Sequence, residues 1–433
     1  MLVIMTLLVQ STLASHLTPI EQRICSQISD QSNAQLRLLE RLVNINSGTN
    51  NIDGVLAVGD IVEKQLNDLG FDTWWVDEPR WMHKAPTLVA QHAGTYGQKI
   101  LLIGHLDTVF SMTGSFQLFK LKSSQLARGA GTLDDKGGIV VMLYALKALQ
   151  AVHALDHENI IVVLTGDEEE SGKPASISRQ PLIRAARQSD IALDFESAVT
   201  LDTGSIGRRG ISNWLITSHG NESHSATIFQ QGVGDGAIFE MARILNSMRL
   251  QFGINKDVTY NPGMIAGGTH VAFDGMDTNG TAFGKNNVVS KIAVARGDFR
   301  YLTVKEREQF KEKLSKIVKQ HLPGTYSEVS YIDGIPAMAP IAANIALLHE
   351  YSHVSEDLSM GKVKVLDPAL RGAGDISYVS TIEKQNLVGL GPMGLGAHSV
   401  IETVELKSIP IQTKRAALLI YRLTSHDHVS HCH

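Results

Sequence analysis

The sequence predicts an α/β fold in which a mostly parallel sheet is interrupted by an inserted, ferredoxin-like α+β unit. Two apolar stretches of strand length, KILLIG from residue 99 and NIIVVLT from residue 159, flank a segment with apolar residues at helical spacing, 137–151. Uninterrupted apolar runs are typical of parallel strands buried on both faces, and a helix between two of them makes a βαβ unit. Farther along the chain, shorter elements alternate in a different order.

Each predicted strand of the first unit ends in residues that can bind a metal ion. His105 and Asp107 follow the first apolar run, four acidic residues at 167–170 follow the second, and Glu196 follows a third run that begins at residue 190. In open α/β sheets, functional sites lie beyond the carboxyl ends of the strands. We therefore expect these side chains to meet at one edge of the sheet.

The inserted unit is predicted from the order of elements that begins after residue 207. We predict strands at 211–218, 258–265, 291–301 and 326–332, with helices at 236–250 and 304–320. The order strand, helix, strand, strand, helix, strand is that of a ferredoxin-like unit. The predicted domains are therefore 16–206 and 335–433, which form one domain in two parts, and an inserted domain at 207–334.

The composition and the termini limit the functional classes. A net charge of -5 without a basic stripe predicts no nucleic-acid partner. Residues 1–15 carry an apolar run followed by small and polar residues, which predicts a signal peptide and a periplasmic or secreted protein, or a cytoplasmic one if the segment is not a signal. No stretch is long enough to span a membrane. Cys25 and Cys432 form a disulfide or remain two free thiols.

Several motifs at the predicted strand ends favour a metal centre. His105 and Asp107, two residues apart on a strand, point from the same face, and a zinc-bound imidazole often donates its other N–H to a carboxylate. Asp134 lies in the tight loop RGAGTLDDKGG, where crowded acids favour a bound cation. Taken singly, each motif is equally well explained as a capped strand end or an exposed acidic turn.

Charge supports two ions instead of one. A single zinc ion would leave a cluster of Asp134, Glu169 and Glu196 anionic, whereas two zinc ions leave one positive charge for a hydroxide to neutralise. His398, in the segment GAHS, completes the set of candidate ligands. Ligands from five separate segments also suit two ions that share a bridging carboxylate.

The succession GHLDTV, GAGTLDDKGG, TGDEEESG, LDFE and GAHS resembles the glutamate carboxypeptidase and aminoacylase family of dinuclear zinc exopeptidases and amidohydrolases, over residues 35–422. The resemblance implies a zinc-exopeptidase catalytic domain with two Zn²⁺ ions bridged by Asp134 and a water or hydroxide. One ion would be held by His105, Asp134 and Glu196, and the other by Asp134, Glu169 and His398. Glu168 would be the general base and Asp107 the partner of a ligand.

The same resemblance implies that the inserted unit is a lid or dimerisation domain of a homodimer. His224 matches a histidine that polarises the substrate carbonyl across the dimer, and Asn287 and Arg300 match positions that contact substrate. The sequence departs from the family where His224 is followed by Ser225 and Ala226, and where residues 267–286 are longer than expected. From its residue type, Arg371 grips a substrate carboxylate or forms a surface ion pair.

The predicted function is hydrolysis of an amide bond next to a carboxylate in a small peptide or N-acyl amino acid. We expect carboxypeptidase-type release of a C-terminal residue such as glutamate. The alternatives are an N-acyl-amino-acid deacylase, an aminopeptidase or dipeptidase, and more remotely a non-catalytic zinc-binding protein. A second alternative concerns register: the base and ligand are Glu168 and Glu169, or, one residue on, Glu169 and Glu170.

Overall fold

The computed structural model describes residues 17–114, 118–253, 257–273 and 279–425, which form two compact units. The first unit contains the described residues up to Gly204, Ala346–Val365 and those from Leu387 onward; the second contains Ser205–Ile345 and Leu366–Asn386. The predicted signal segment at 1–15 and Cys432 lie outside the described residues. The disulfide therefore stays a prediction.

The second unit is larger than the insertion we predicted at 207–334, because buried Arg208 binds later segments to it. The main chain of Arg208 pairs with Met338, with N–H to O distances of 2.9 and 3.0 Å. Its guanidinium donates to the carbonyl oxygens of Gly372 and Ala373 at 2.6 and 2.7 Å. Residues 335–345 and 366–386 accordingly belong to the second unit.

The described residues form ten α-helices: α1 (Pro19–Asp30), α2 (Ser32–Val43), α3 (Ile52–Asp68), α4 (Lys136–Ala151), α5 (Ala175–Ser178), α6 (Gln180–Ala186), α7 (Ala237–Phe252), α8 (Val304–Val318), α9 (Ala342–Asp357) and α10 (Ser408–Thr424). None of these described helices has the length and apolar character needed to cross a membrane.

The strands, in chain order, are β1 (Asp72–Val76), β2 (Thr87–His92), β3 (Tyr96–His105), β4 (Lys120–Leu121), β5 (Leu126–Arg128), β6 (Glu158–Thr165), β7 (Ile191–Asp194), β8 (Thr203–Gly204), β9 (Gly210–Gly220), β10 (Thr259–Gly268), β11 (His270–Phe273), β12 (Gly280–Phe283), β13 (Ile292–Tyr301), β14 (Thr325–Asp333), β15 (Lys364–Val365), β16 (Gln385–Val388), β17 (Gly394–Leu395) and β18 (Thr403–Glu405).

The main sheet of the first unit has the strand order β1-β2-β6-β3-β7-β16. The strands predicted from apolar runs are parallel, since β3 pairs in parallel with both β6 and β7. The sheet is nevertheless mixed, because β2 is antiparallel to β6 and β1 is antiparallel to β2. The predicted α/β fold is confirmed, with an antiparallel edge that the apolar runs did not indicate.

The parallel centre of this sheet is packed against helices that have little polar surface. Residues Ile100 to Ile103 of β3 are at most 1% exposed, and α4 is buried along nearly its whole length. A helix that is apolar on all sides lies in a core instead of at the surface. The loop before α4 is therefore held against the carboxyl end of β3, where the candidate ligands begin.

The second unit has the predicted ferredoxin-like arrangement. Its four-stranded sheet has the order β10-β13-β9-β14, and every pair in it is antiparallel. Helices α7 and α8 pack on this sheet around an aromatic core in which Phe299 stacks on Phe310 at 4.1 Å between ring centroids. A capping box of Thr303 and Glu306 begins α8.

The unexpectedly long stretch at 267–286 contains an additional pair of antiparallel strands in the second unit. Strands β11 and β12 pair antiparallel, with His270 opposite Phe283 and Phe273 opposite Gly280. The extra sequence therefore extends the ferredoxin-like unit without changing the order of its four main strands.

Candidate metal centre

Four of the five predicted ligands converge in the first unit. His105 ends β3, Asp134 precedes α4, Glu169 follows β6, and His398 follows β17. The Nε2 atom of His105 lies 3.1 Å from Asp134 Oδ1, and the Nε2 atom of His398 lies 3.0 Å from Asp134 Oδ2 and 3.2 Å from Glu169 Oε2. Ligand atoms of His105, Asp134 and Glu169 all lie within 4.8 Å of one another. Two imidazoles thus share carboxylates drawn from distant segments.

Asp107 holds His105 and the acidic loop in one arrangement. Its Oδ1 lies 3.2 Å from His105 Nδ1 and accepts a hydrogen bond from the N–H of Glu168 at 3.0 Å. Its Oδ2 accepts from the N–H of Glu169 at 3.1 Å and from the Thr49 hydroxyl at 2.6 Å. Because the Nδ1 side of the ring is engaged here, the Nε2 atom is the one directed at the other ligands.

Glu402 orders the loop that carries Asp134, and the sequence alone did not single it out. Its Oε1 accepts hydrogen bonds from the N–H groups of Leu133 and Asp134, at 2.8 and 3.3 Å, and from the Thr132 hydroxyl at 3.5 Å. The signal that would have suggested it is an acid four residues after His398, directly after the apolar pair Val400 and Ile401. Glu402 therefore positions the carboxylate that both imidazoles contact.

A buried ion pair holds the acidic loop after β6. Arg179 and Asp167 are at most 1% exposed, and Arg179 donates to Asp167 Oδ1 at 2.6 Å. Arg179 also donates to the Asp167 carbonyl oxygen at 3.0 Å and to the Ser171 hydroxyl at 2.8 Å, while the N–H of Gly172 donates to Asp167 Oδ2 at 2.7 Å. Hydrogen bonds thus hold the loop at Asp167, where it begins, and at Ser171 and Gly172, where it ends.

The second and third glutamates of the acidic run have different surroundings. Glu169 is next to His398, whereas Glu170 accepts a hydrogen bond from Asn50 at 2.8 Å and pairs with Lys84 at 3.2 Å. A carboxylate engaged by an ammonium and an amide is not the one that faces the two imidazoles. The geometry favours Glu169 over Glu170 as the ligand.

Glu196, the fifth predicted ligand, is not one of the three residues in the compact donor group found among the described residues. It follows β7, and its N–H donates to Asp194 Oδ1 at 3.0 Å. It lies near enough to Asp135 for its charge to contribute to the raised pKa of that buried carboxyl. Asp135 in turn accepts a hydrogen bond from the His105 N–H at 3.3 Å. Glu196 therefore lies near a residue that contacts the ligand His105.

The charges of the centre depend on one another. Burial alone would raise the pKa of Asp107, but the hydrogen bond and charge of His105 outweigh it and hold the pKa below the usual range. The pKa of Asp134 is lowered in the same way by both imidazoles. Hydrogen bonds to Asp134 and Glu169 raise the pKa of His398 to about 11. The carboxylates therefore stabilise positive charge among them.

Burial shifts the pKa values of three neighbouring groups away from their ordinary range. Burial raises the pKa of Asp135 well above its usual value and raises the pKa of Glu402 to about 7. Burial lowers the pKa of Lys136 to about 7, and its ammonium donates to the Ile45 carbonyl oxygen at 2.8 Å. Asp135, Lys136 and Glu402 thus form a buried side of the centre, where charge interactions are stronger than in water, whereas the His398 side chain is 56% exposed.

The donor set fits a divalent metal ion. Glu169 Oε1 is buried without a hydrogen-bond partner, which is costly unless a cation or another donor satisfies it. Imidazole nitrogens together with carboxylate oxygens are the ligands of catalytic zinc sites, and cations of this class displace protons from such imidazoles. The residues present are therefore suited to bind metal at Asp134.

The predicted residues of the second unit form a separate group. His224 and Asn287 are neighbours: His224 forms a β-bridge with Val288, and the Asn287 carbonyl oxygen accepts from the Ser225 N–H at 2.9 Å. His224 is exposed, and its Nδ1 accepts from the Ala226 N–H at 3.2 Å, so a neutral ring carries its proton on Nε2.

The two predicted arginines lie elsewhere in this unit. Arg300, on β13, pairs with Asp298 at 2.9 Å. Arg371 is half-buried and directly precedes Gly372 and Ala373, the two residues whose carbonyl oxygens Arg208 binds.

Comparison with known proteins identifies the class of this molecule. Residues 101–422 match the peptidase family M20/M25/M40, and the chain belongs to this family. It is therefore a hydrolase of the metallopeptidase and amidohydrolase type, whose members bind metal ions, as the sequence motifs predicted.

Individual relatives span nearly the whole chain. Carboxypeptidase G2 of Pseudomonas sp. (strain RS-16) is 27% identical over 401 residues, which cover 91% of this chain and 90% of that protein. Succinyl-diaminopimelate desuccinylase of Dechloromonas aromatica (strain RCB) is 24% identical, with 88% and 96% covered. A dinuclear metal-binding peptidase of the M20 family from Bacillus subtilis has a similar fold, with a TM-score of 0.63, 11% identity, and 91% and 98% covered.

Proposed function

We propose that this protein is a zinc-dependent carboxypeptidase that releases a C-terminal amino acid such as glutamate from a small peptide or N-acyl substrate. The observation that carries the proposal is the convergence of His105, Asp134, Glu169 and His398, with Asp107 behind His105. The similarity to a relative named as a carboxypeptidase supports this type of cleavage.

In this proposal the centre would hold two zinc ions. His105, Asp134 and Glu196 would hold one ion, and Asp134, Glu169 and His398 would hold the other. Support comes from the two oxygens of Asp134, each of which faces a different imidazole, at 3.1 and 3.0 Å. A carboxylate placed in this way suits the bridging role in a two-metal site.

The chain's own residues then perform the proton transfers. When bound, two divalent cations polarise the scissile carbonyl and make a water more acidic. Glu168 accepts the proton of the attacking water and delivers it to the nitrogen of the leaving amine. The Asp107 carboxylate holds the Glu168 main chain, through the 3.0 Å hydrogen bond, so that the base stays next to the centre.

Residues of the second unit would bind the substrate. His224 would donate its Nε2–H to the carbonyl oxygen, and it is supported in this role by the Ala226 N–H, which occupies Nδ1. Asn287 and Arg300 would contact the substrate, and Arg371 would bind its carboxylate.

The test combines metal analysis with a substrate panel. Purified protein is expected to contain about two zinc ions per chain. Glu168→Ala should retain that zinc and lose activity on acyl-glutamate, acyl-aspartate and dipeptides by a factor of about 10² to 10⁴. Glu170→Ala is the matched control for the metal ligand and should retain its zinc, because Glu170 contacts Lys84 and Asn50 instead of the imidazoles. Zinc loss in Glu170→Ala, with zinc retained in Glu169→Ala, would instead place the ligand one residue on.

A second candidate is deacylation of N-acyl amino acids, which is favoured by similarity to a desuccinylase. A third is aminopeptidase or dipeptidase cleavage within the same family. Peptides with a blocked C-terminus, a blocked N-terminus or neither separate these activities. Cleavage that needs a free amino end and tolerates a blocked carboxyl end would refute the carboxypeptidase proposal.

We also propose that the protein is an exported homodimer that pairs through its ferredoxin-like unit. The separate unit and the apolar segment at 1–15 support this. Mass measurement in solution and N-terminal sequencing of the protein recovered from cell fractions test the two parts. A fully active monomer would refute the dimer, and recovery of an uncleaved N-terminus in the cytoplasm would refute export.

A further inference from the structure

A cavity of about 370 Å³ adjoins the candidate metal centre within the first unit. It is lined by residues 48–51 and 108–113, together with Glu169 and Glu170. We call it the acyl chamber. Because Glu169 belongs both to its wall and to the ligand cluster, the chamber lies directly beside the candidate metal centre.

The two segments that line the chamber are bound to each other through their main chains. The Thr49 N–H donates to the Thr108 carbonyl oxygen at 3.1 Å, and the Thr108 N–H donates to the Ser47 carbonyl oxygen at 2.9 Å. The Asn46 amide adds a hydrogen bond to the Phe110 carbonyl oxygen at 3.2 Å. These hydrogen bonds fix the positions of the two lining segments and so define the shape of the chamber.

Glu170 gives the chamber a negative wall. Its side chain is 64% exposed, whereas the Lys84 side chain that pairs with it is only 8% exposed and does not line the chamber. Lys84 and Asn50 contact the two oxygens of Glu170, and Lys84 also donates to Asn50 Oδ1 at 3.1 Å. Glu170 and Asn50 thus line the chamber, whereas the two positive charges near Glu170, those of Lys84 and Lys173, lie on residues outside its lining.

We propose that the acyl chamber receives the acyl side of the substrate and that Glu170 selects acyl groups that are neutral or cationic over anionic ones. This rests on the proposed function, in which the substrate carboxylate is bound by residues of the second unit. Among its described lining residues the chamber offers hydroxyls, amides, apolar side chains and the carboxylates of Glu169 and Glu170, but no cationic side chain. A carboxylate placed there would be repelled by Glu170, whereas an ammonium or a neutral group would not.

The experiment measures the preference among acyl groups in two ways, in catalysis and in binding. Three glutamate derivatives that differ only in the acyl group, namely glycyl, acetyl and succinyl, are compared as substrates by kcat/KM. Their uncleavable ketomethylene analogues are compared by isothermal titration on the zinc-loaded protein. We expect glycyl and acetyl compounds to be preferred over succinyl by a factor on the order of ten, the effect of one nearby charge on a partly exposed site.

Two substitutions should move this preference in opposite directions. Glu170→Gln should reduce the preference to within about twofold, because the charge is removed. Lys84→Met should widen it, because Glu170 loses its counter-ion. Glu312→Gln is the matched control: Glu312 is 66% exposed and paired with Lys316, but it lies on α8 of the second unit, so its replacement should leave the preference as in the parent.

A third variant tests where the acyl group lies. Val109 lines the chamber and is 40% exposed, so Val109→Trp should weaken succinyl and longer acyl compounds more than acetyl ones. Val365→Trp, at a site that is 49% exposed and outside the chamber, is the control.

The possible results separate the two proposals. If substrates are cleaved but Glu170→Gln and Lys84→Met shift the preference in the same direction, or not at all, the chamber proposal is overturned and the hydrolase proposal stands. If Val109→Trp instead weakens the acetyl compound as much as the succinyl and longer acyl compounds, the acyl group does not lie in the chamber and the proposal is wrong. If no substrate is cleaved and no analogue binds, the proposed function fails, and the acyl chamber fails with it.

Discussion

The two units hold their candidate functional residues in different ways. In the first unit, His105, Asp107 and Asp134 are bound by partners from several distant segments, and His105 and Asp107 are at most 2% exposed. In the second unit, His224 and Asn287 are exposed, and the contacts that hold them involve main-chain groups of two neighbouring segments, 224–226 and 287–288. The first arrangement sets a geometry before any ligand arrives, which suits metal ligands; the second leaves side chains free to follow a substrate.

The largest effect is expected for Asp134→Asn. The amide removes the charge that both imidazoles share, so zinc content should fall and activity should drop below detection. Asp333→Asn is the matched control in the second unit, where the carboxylate binds Lys311 and Ser212 at 2.8 Å each. That variant should lose some stability but keep its zinc, as measured by metal analysis of the purified proteins. Equal zinc loss in both variants would contradict the conclusion that the metal ligands lie in the first unit.

His224→Ala should lower kcat/KM by a factor of about 10² to 10³, the usual cost of losing one donor to a developing oxyanion. Zinc content should stay that of the parent, because the histidine is no part of the ligand cluster. If His224 acts across a dimer, mixing this variant with Glu168→Ala should restore up to roughly a quarter of the parent activity through mixed dimers. If the protein is a dimer, its subunits exchange and no activity is recovered, then His224 acts on the metal centre of its own chain.

Glu402→Met should weaken zinc affinity by a factor of about 10 to 100, as expected when a group that positions a ligand is removed. The N–H groups of Leu133 and Asp134 lose their acceptor, so the loop that carries Asp134 is less ordered. Glu402→Gln keeps an oxygen acceptor and should recover most of the affinity, and Glu405→Gln, on β18, is the control. Competition with a chelating dye measures the affinities. A loss in Glu402→Met that Glu402→Gln fails to rescue would argue for a role of charge instead of position.

The smallest effect is expected for Arg371→Ala, which should raise KM about tenfold with little change in kcat, since it removes one charge-assisted contact to the substrate. The increase should disappear for substrates whose C-terminal carboxylate is blocked as an amide. An equal increase for free and blocked substrates would assign Arg371 to the surface ion pair that the sequence left as its alternative.

The sequence allowed much of the fold to be predicted, because burial leaves a pattern along the chain. The uninterrupted apolar runs gave β3 and β6, and helical spacing gave α4. The alternating elements of the second unit were predicted to within a few residues, for example a helix at 236–250 against the observed Ala237–Phe252. Strands β1 and β2 were missed because they are only five and six residues long, and β1, at the sheet edge, is partly exposed, so neither gives a long apolar run.

The residues that position the ligands and the acidic loop were not predicted from the sequence, for a related reason. Glu402 binds the loop at 132–134 from almost 270 residues away, and Lys84 meets Glu170 across more than 80 residues. Neither residue has a local motif that distinguishes it from a surface charge. Their roles follow from the chain segments that the fold brings next to them.

By itself, the sequence determined the types of element, their order and the kinds of ligand at the strand ends, because hydrophobic periodicity and residue chemistry are local properties. Only the tertiary structure decided which of the adjacent glutamates faces the imidazoles. Glu169 and Glu170 are neighbours in the chain, yet one meets His398 and the other Lys84. Successive side chains leave a backbone in different directions, and their partners come from segments far apart in sequence, so packing of the whole unit assigns their roles.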